Sequence, residues 1–138
     1  LATSISMLVA KCGVSTNVSG ELNPGTFVQA LSKNGGFTNS GNLQWNAIAK
    51  VAPNFTWVGN ENILGKSKNE KLNKIKSLQD SGYYVVAEVK GNTGQHWVAL
   101  DSISGNTINM MDPGSTSTNM WQQYQWKNTS RVVWFKAG

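Results

Sequence analysis

The apolar pattern of this chain changes period once, at Ser81-Gly82, and that change limits the folds open to it. Before it, apolar residues recur three and four positions apart, the spacing of one face of a helix. Leu1, Ile5, Leu8, Val9 and Cys12 share such a face over Leu1–Cys12, and Gly13 supplies a C-terminal stop. Asn23-Pro24-Gly25 opens a second helix with Phe27, Val28, Ala30 and Leu31 inside, closed by Asn34-Gly35-Gly36. A short third helix starts near Gly41 or Asn42, runs through Leu43, Trp45, Ile48 and Ala49, and stops before Pro53. Phe55–Val58 reads as a short strand. Lys68–Leu78 reads as a fourth helix, with Leu72, Ile75 and Leu78 inward and its lysines outward.

After Ser81-Gly82 the pattern becomes strand-like. Tyr83–Val89, His96–Leu100 and Thr107–Met111 are rich in β-branched and aromatic residues, with Ser104-Gly105-Asn106 as a hairpin turn between the last two. Ser115–Asn119 is a polar loop, Met120–Trp126 a short helix, and Arg131–Phe135 a closing strand. Helices followed by antiparallel strands give an α+β fold, N-terminal helices packed on a C-terminal antiparallel sheet. The 138 residues suffice for one such domain, 1–138, and there is no repeat, linker or low-complexity segment to divide them.

Composition narrows the function classes. Charged residues are only 14% of the chain, and Asn, Ser, Thr, Gly and Gln make much of the rest, as on the surfaces of extracellular bacterial proteins. The net charge of +5 favours approach to anionic polymers, nucleic acid or bacterial cell wall. Five of the 12 basic residues lie between Lys66 and Lys76; they are Lys66, Lys68, Lys71, Lys74 and Lys76. At helical spacing and without interleaved aromatics they read as the wet face of a helix, not a nucleic-acid groove. The six tryptophans, Trp45, Trp57, Trp97, Trp121, Trp126 and Trp134, read as core and cleft residues. One cysteine and one histidine leave no intrachain disulfide and no metal site, so no cofactor is expected. No apolar run reaches the roughly 20 residues that span a bilayer.

The chemistry gathers around the single histidine, His96. It begins a strand after the loop Gly91-Asn92-Thr93-Gly94-Gln95, where a fixed backbone meets an open loop, a place that suits a general acid or base. Asp112 follows the end of the next strand. A hairpin brings those two strand ends to one sheet edge, where a carboxylate can hold one ring nitrogen and fix the tautomer. The same Asp112 before Pro113-Gly114 also reads as a turn residue, and both readings stand at this point. A His–Asp pair needs a nucleophile. Cys12 is at the wrong end of its helix, where the dipole opposes a thiolate, and shares the apolar face, so it is expected buried and remote from His96. Thr3 and Ser4 lie in the first turn without any surrounding signature.

Leu1-Ala2-Thr3-Ser4-Ile5-Ser6-Met7-Leu8, His96-Trp97-Val98 and Asn109-Met110-Met111-Asp112-Pro113-Gly114, in that order, resemble three motifs of papain-like cysteine peptidases of the bacteriocin-processing (double-glycine peptidase-like) type. The resemblance implies a papain-like fold, His96 and Asp112 as catalytic residues, and a nucleophilic cysteine immediately before Leu1. It also implies an oxyanion-stabilising Gln a few residues upstream of that cysteine. The helix that begins at the first residue without a capping residue agrees with a chain that is N-terminally incomplete. The implied activity is hydrolysis of peptide bonds, by a monomer acting on a peptide or a peptidoglycan peptide, secreted or phage-borne and extracellular or cell-wall associated, with no nucleic-acid partner and no membrane span. The alternative is a catalytically inactive relative that holds a polypeptide in the former cleft.

Overall fold

The computed structural model describes residues 1–91 and 94–138. Among the described residues five α-helices and five strands are formed, in the order α1 (Ala2–Cys12), α2 (Pro24–Lys33), α3 (Ile48–Val51), β1 (Phe55–Asn62), α4 (Lys68–Asp80), β2 (Tyr84–Gly91), β3 (Gly94–Ser104), β4 (Thr107–Met111), α5 (Met120–Gln123) and β5 (Arg131–Ala137). All strand pairs are antiparallel and the sheet order is β1-β5-β2-β3-β4. The α+β class expected from the periodicity is the one formed.

Local chemistry sets the helix ends. Gly13 takes φ +70°, a left-handed conformation that lets its amide turn back to the Val9 and Ala10 carbonyls and close α1. Asn23 caps α2, with Pro24 at the first helical position and Thr26 completing a capping box. Ser67 and Glu70 do the same for α4: each side chain accepts from the other's backbone N–H, at 3.2 and 3.1 Å.

The sheet is a middle layer, which the sequence pattern alone did not indicate. Val86, Trp97, Ala99, Val133 and Phe135 point to one face and pack with Ile5, Leu8, Val9, Phe27, Leu31 and Ile48 of α1, α2 and α3. Val85, Ala87, Val89, Val98, Leu100 and Val132, the alternate residues of the same strands, point to the other face and pack with Leu72, Ile75 and Leu78 of α4 and Met120 of α5. The runs around Val85–Val89 and Trp97–Leu100 are continuous because both faces are covered. The helices are therefore not all on one side of a C-terminal sheet: α4 lies opposite α1–α3, and β1, formed before α4, extends the sheet by pairing with β5.

Several boundaries differ from the sequence expectation. The third helix does not start at Gly41 or Asn42: Leu43 bridges Phe37 as extended chain, a tighter helical turn covers Trp45–Ala47, and α3 begins at Ile48. β1 runs to Asn62, with a register shift between Trp57 and Gly59 that leaves Val58 without a partner. β3 starts at Gly94, so His96 is its third residue and not its first; of the expected loop Gly91–Gln95, Asn92 and Thr93 lie outside the described residues. The helix expected over Met120–Trp126 stops at Gln123, and Tyr124 is already extended at φ −125° and ψ 146°.

The lysine stripe of α4 is also not wholly outward. Lys71 is fully buried, and its ammonium donates to the carbonyls of Trp126, Lys127 and Thr129 at 3.0, 3.2 and 2.7 Å. Those carbonyls lie in the tight helical turn between α5 and β5, and the ammonium supplies three donors at one point. Lys71→Met keeps the stem and removes the donors. We expect it to lower unfolding stability by about 2–4 kcal/mol in urea denaturation, because buried carbonyls lose charged partners; a loss below roughly 0.5 kcal/mol would show that water replaces the ammonium freely.

Candidate active site

β2, β3, β4 and β5 all bring one end to the same edge of the molecule. The ladder pairs Val89 with His96 and Glu88 with Arg131, and the last β3–β4 pair is Ala99 with Met111. Extending that register by one places Asp112 across from Val98, on the same face of the sheet as His96. The structure brings the two side chains together: Nε2 of His96 lies 2.7 Å from Oδ1 of Asp112.

Asp112 is the most fully engaged side chain of this region. Its carboxylate has no solvent exposure. Oδ1 also accepts the Gly114 amide at 2.8 Å, while Oδ2 accepts the Ser115 hydroxyl at 2.8 Å and the Tyr124 hydroxyl. Burial opposes the charge, but the hydrogen bonds from Tyr124, His96, Gly114 and Ser115 together outweigh it and hold the pKa below the ordinary carboxylate value. The Tyr124 hydroxyl is correspondingly pushed up to about 12, first by burial and then by its bond to Asp112 and the carboxylate charge, so it stays a donor. Both readings of Asp112 hold in the geometry: it shapes the turn through Gly114 and Ser115, and it holds the imidazole.

The imidazole is fixed in place on several sides. An ionised carboxylate only accepts, which assigns the proton facing it to Nε2 and leaves Nδ1 as the ring nitrogen without a partner among the described residues. The Tyr124 ring lies against it, centroids 5.7 Å apart. Gly114 lies beneath it, so close that a Cβ there would sit 3.1 Å from Cε1 and 3.2 Å from Nε2. A quarter of the side chain remains accessible, at 25%.

Two clefts share that exposed ring. One, of about 720 Å³, is bordered by Leu1, Ala2 and Thr3 at the start of α1, by the apolar side chains of Phe37, Leu43, Trp45 and Trp97, and by Arg131. The other, of about 600 Å³, lies on the α5 side and is bordered by Lys90, Gln123, Tyr124, Gln125 and Asn128. The start of α1 is tied to the histidine strand directly: the buried Ser4 hydroxyl donates to the Trp97 carbonyl at 2.7 Å. Ser4 is thereby committed, while Thr3 opens on the cleft. Cys12 is at the opposite end of α1, roughly 15 Å from Ala2 along the axis, beside Tyr84. It is half-buried rather than enclosed, and burial pushes its thiol up.

The sequence had singled out His96 and Asp112. It gave no weight to Tyr124 or Ser115, and Gly114 entered only as a turn residue and as the end of the Asn109–Gly114 motif. Ser115, three residues after Asp112, is a short-range turn partner that spacing could have suggested. Tyr124 was hidden by its assignment to a helix that in fact ends one residue earlier. No cluster of three or more His, Cys, Asp or Glu suited to a metal occurs among the described residues, and no helix among them is long and apolar enough to cross a membrane.

No protein-family model matches the chain, and no curated protein matches it. Among solved structures it is similar to a crystal structure described as that of a "putative C39-like peptidase" from Bacillus anthracis, with 16% sequence identity, a TM-score of 0.48, and alignment over 99% of this chain and 88% of that one. A likeness at that level says nothing of activity.

The hydrogen bonds on the buried carboxylate yield a pH signature. The pKa of Asp112 is lower in the folded chain than in the unfolded one. Its contribution to stability is therefore present above the ordinary carboxylate value and lost as pH falls through the lowered one. Asp112→Asn leaves at least one of the four donors facing an amide N–H2, and we expect a loss of about 1–3 kcal/mol near neutral pH. Unfolding curves of both proteins at about pH 7 and about pH 3 should show the gap narrowing with acid. A gap that is constant or widens would contradict the ionised, hydrogen-bonded carboxylate.

Proposed function

We propose that this chain is the larger part of a papain-like cysteine peptidase domain, with His96 as general acid and base and Asp112 as the residue that orients it. The observation that carries the reading is the ring held at Nε2 by a buried carboxylate while the start of α1 borders the same cleft. A thiol just before Leu1 would stand at a helix N-terminus, where the dipole and free amides favour its anion. That thiolate adds to a peptide carbonyl carbon. The imidazolium gives its Nδ1 proton to the departing amine nitrogen as the C–N bond breaks, leaving a thioester. Water, losing a proton to the imidazole, then adds to the thioester carbon and releases the acid and the thiolate. Asp112 keeps the ring in one tautomer throughout.

The lightly charged polar composition and the +5 net charge support a secreted, wall-directed peptidase that acts on peptides of the bacterial cell wall. A second reading, a polypeptide-binding cleft without chemistry, is favoured by one observation: the only cysteine of the sequence, Cys12, lies at the far end of α1 from His96.

The residue encoded immediately before Leu1 separates the two. With a cysteine there, protein carrying that residue and its upstream Gln segment should hydrolyse peptides, and His96→Ala should lower kcat/KM about a thousandfold. Residues Leu1–Gly138 alone should bind peptide without cleaving it. Hydrolysis by Leu1–Gly138 alone at the same rate would place the nucleophile within the chain, and a residue other than cysteine before Leu1 would favour the binding module.

A further inference from the structure

Neither cleft that shares His96 is bordered by a carboxylate, and each is bordered by one cationic side chain, Arg131 on the α1 side and Lys90 on the α5 side. The peptidase chemistry does not require this. Asp112, among the described residues the one acid bonded to the ring, is out of solvent and saturated with donors. Arg131 has an acidic cross-strand neighbour in Glu88, whose two oxygens accept from the Ser130 hydroxyl at 2.6 Å and from the Gln95 amide and not from Arg131. Among the described residues neither Arg131 nor Lys90 forms an ion pair, and both are exposed.

A polypeptide reaching His96 must cross both clefts. Its acyl side lies with the start of α1, where the reacting carbonyl meets the nucleophile. The departing amine must touch the imidazole to receive a proton, so the chain beyond it leads over the ring toward Tyr124 and the α5 side. One cationic side chain borders each arm; the nearest acid, Glu88, is the cross-strand neighbour of Arg131 and shares a third cleft with Lys90, but it borders neither of the clefts that share His96. Most basic side chains are unpaired among the described residues, Lys11 with Asp101 and Lys74 with Glu61 being the exceptions; what sets Arg131 and Lys90 apart is their place on the clefts that share His96, where they are complementary to carboxylates on the occupant.

We propose that the peptide this site takes is acidic, with carboxylates on both sides of the reacting bond, one toward Arg131 and one toward Lys90. The sidedness rests on the peptidase reading; the charge preference rests on the clefts alone. Each contact is partly exposed and should contribute about a two- to fivefold gain in affinity at low salt.

The test titrates Leu1–Gly138 with two pools of end-blocked hexapeptides, randomised over neutral residues, that carry either Glu or Gln at the second and fifth positions. Binding is read from the NMR signals of Trp97, Gly114 and Tyr124. The Glu pool should bind about fivefold tighter or more at low ionic strength, and the advantage should fade in about 0.5 M salt, where screening acts within a few ångströms. Lys90→Gln and Arg131→Gln should each remove part of the advantage. Equal affinity for the two pools, a preference untouched by either substitution, or no binding of either pool would overturn the proposal. Hydrolysis assays on protein carrying the upstream segment separate the two readings. Equal cleavage of both pools sinks the acidic preference and leaves the peptidase. A Glu preference in binding with no cleavage of any pool sinks the peptidase and leaves the acidic cleft.

Discussion

The buried carboxylate of Asp112 gathers four donors from four different positions in the chain, and the geometry of the site follows from that convergence. An isolated ionised carboxylate out of water would cost several kcal/mol and would protonate instead. Here His96, Gly114, Ser115 and Tyr124 supply hydrogen bonds to its two oxygens, two on each. Because hydrogen bonds to a charged group are the stronger ones, each contributing about 1.5–3 kcal/mol, the set outweighs the burial. Charge and donors are mutually dependent. Protonating Asp112 would leave four donors facing three lone-pair sites and one competing O–H, so neutralisation loosens the ring, the turn after β4 and the start of the 124–130 segment together.

The helix that borders the cleft is positioned by separate means. α1 buries Ile5, Leu8 and Val9 against the sheet face that carries Trp97, Ala99 and Val133, while His96 and Asp112 belong by register to the opposite face. The site therefore forms at the end of the sheet, where side chains from both faces meet. Apolar packing fixes the distance of α1 from the sheet, but it is not directional and leaves sliding along the axis weakly specified. The Ser4 hydroxyl on the Trp97 carbonyl supplies the direction: it joins the first turn of α1 to the residue after His96. A hydroxyl buried at 0% exposure without that acceptor would cost about 1–3 kcal/mol, which is enough to select one seating of the helix.

The parts of this arrangement legible in the sequence are those that depend on local spacing. The hairpin at Ser104-Gly105-Asn106 and the two strands around it bring His96 and Asp112 to one edge, and the helix faces of Leu1–Cys12 and Pro24–Lys33 follow from their period; the register shift between Leu100 and Ser102, which puts Asp112 on the same face as His96, is not announced by spacing. What the sequence did not disclose depends on contacts across distant segments. Lys71 looks like one more surface lysine until the carbonyls of 126, 127 and 129 are seen to converge on it. Tyr124 is one position past a four-residue helix, and at that length propensity cannot locate the end. The middle position of the sheet was hidden for a related reason. A continuous apolar run signals burial on both faces, but it does not say which helix covers which side, and the stripe of Leu72, Ile75 and Leu78 on α4 is silent on which face of the sheet it meets.

His96 illustrates how little freedom such a convergence leaves. Asp112 holds Nε2 from one side and Tyr124 closes another. Gly114 lies where any Cβ would press to within 3.2 Å of the ring nitrogen. A ring so enclosed can neither flip nor swing to present Nε2 outward without breaking the carboxylate's bond and leaving a buried charge one donor short. Only Nδ1 and the ring edge face the clefts. Any group that exchanges a proton with this histidine must therefore approach Nδ1. Two clefts open on that edge, and on the peptidase reading they divide the work: a nucleophile just before Leu1 comes from the cleft that the start of α1 borders, while the cleft on the α5 side is left to the substrate.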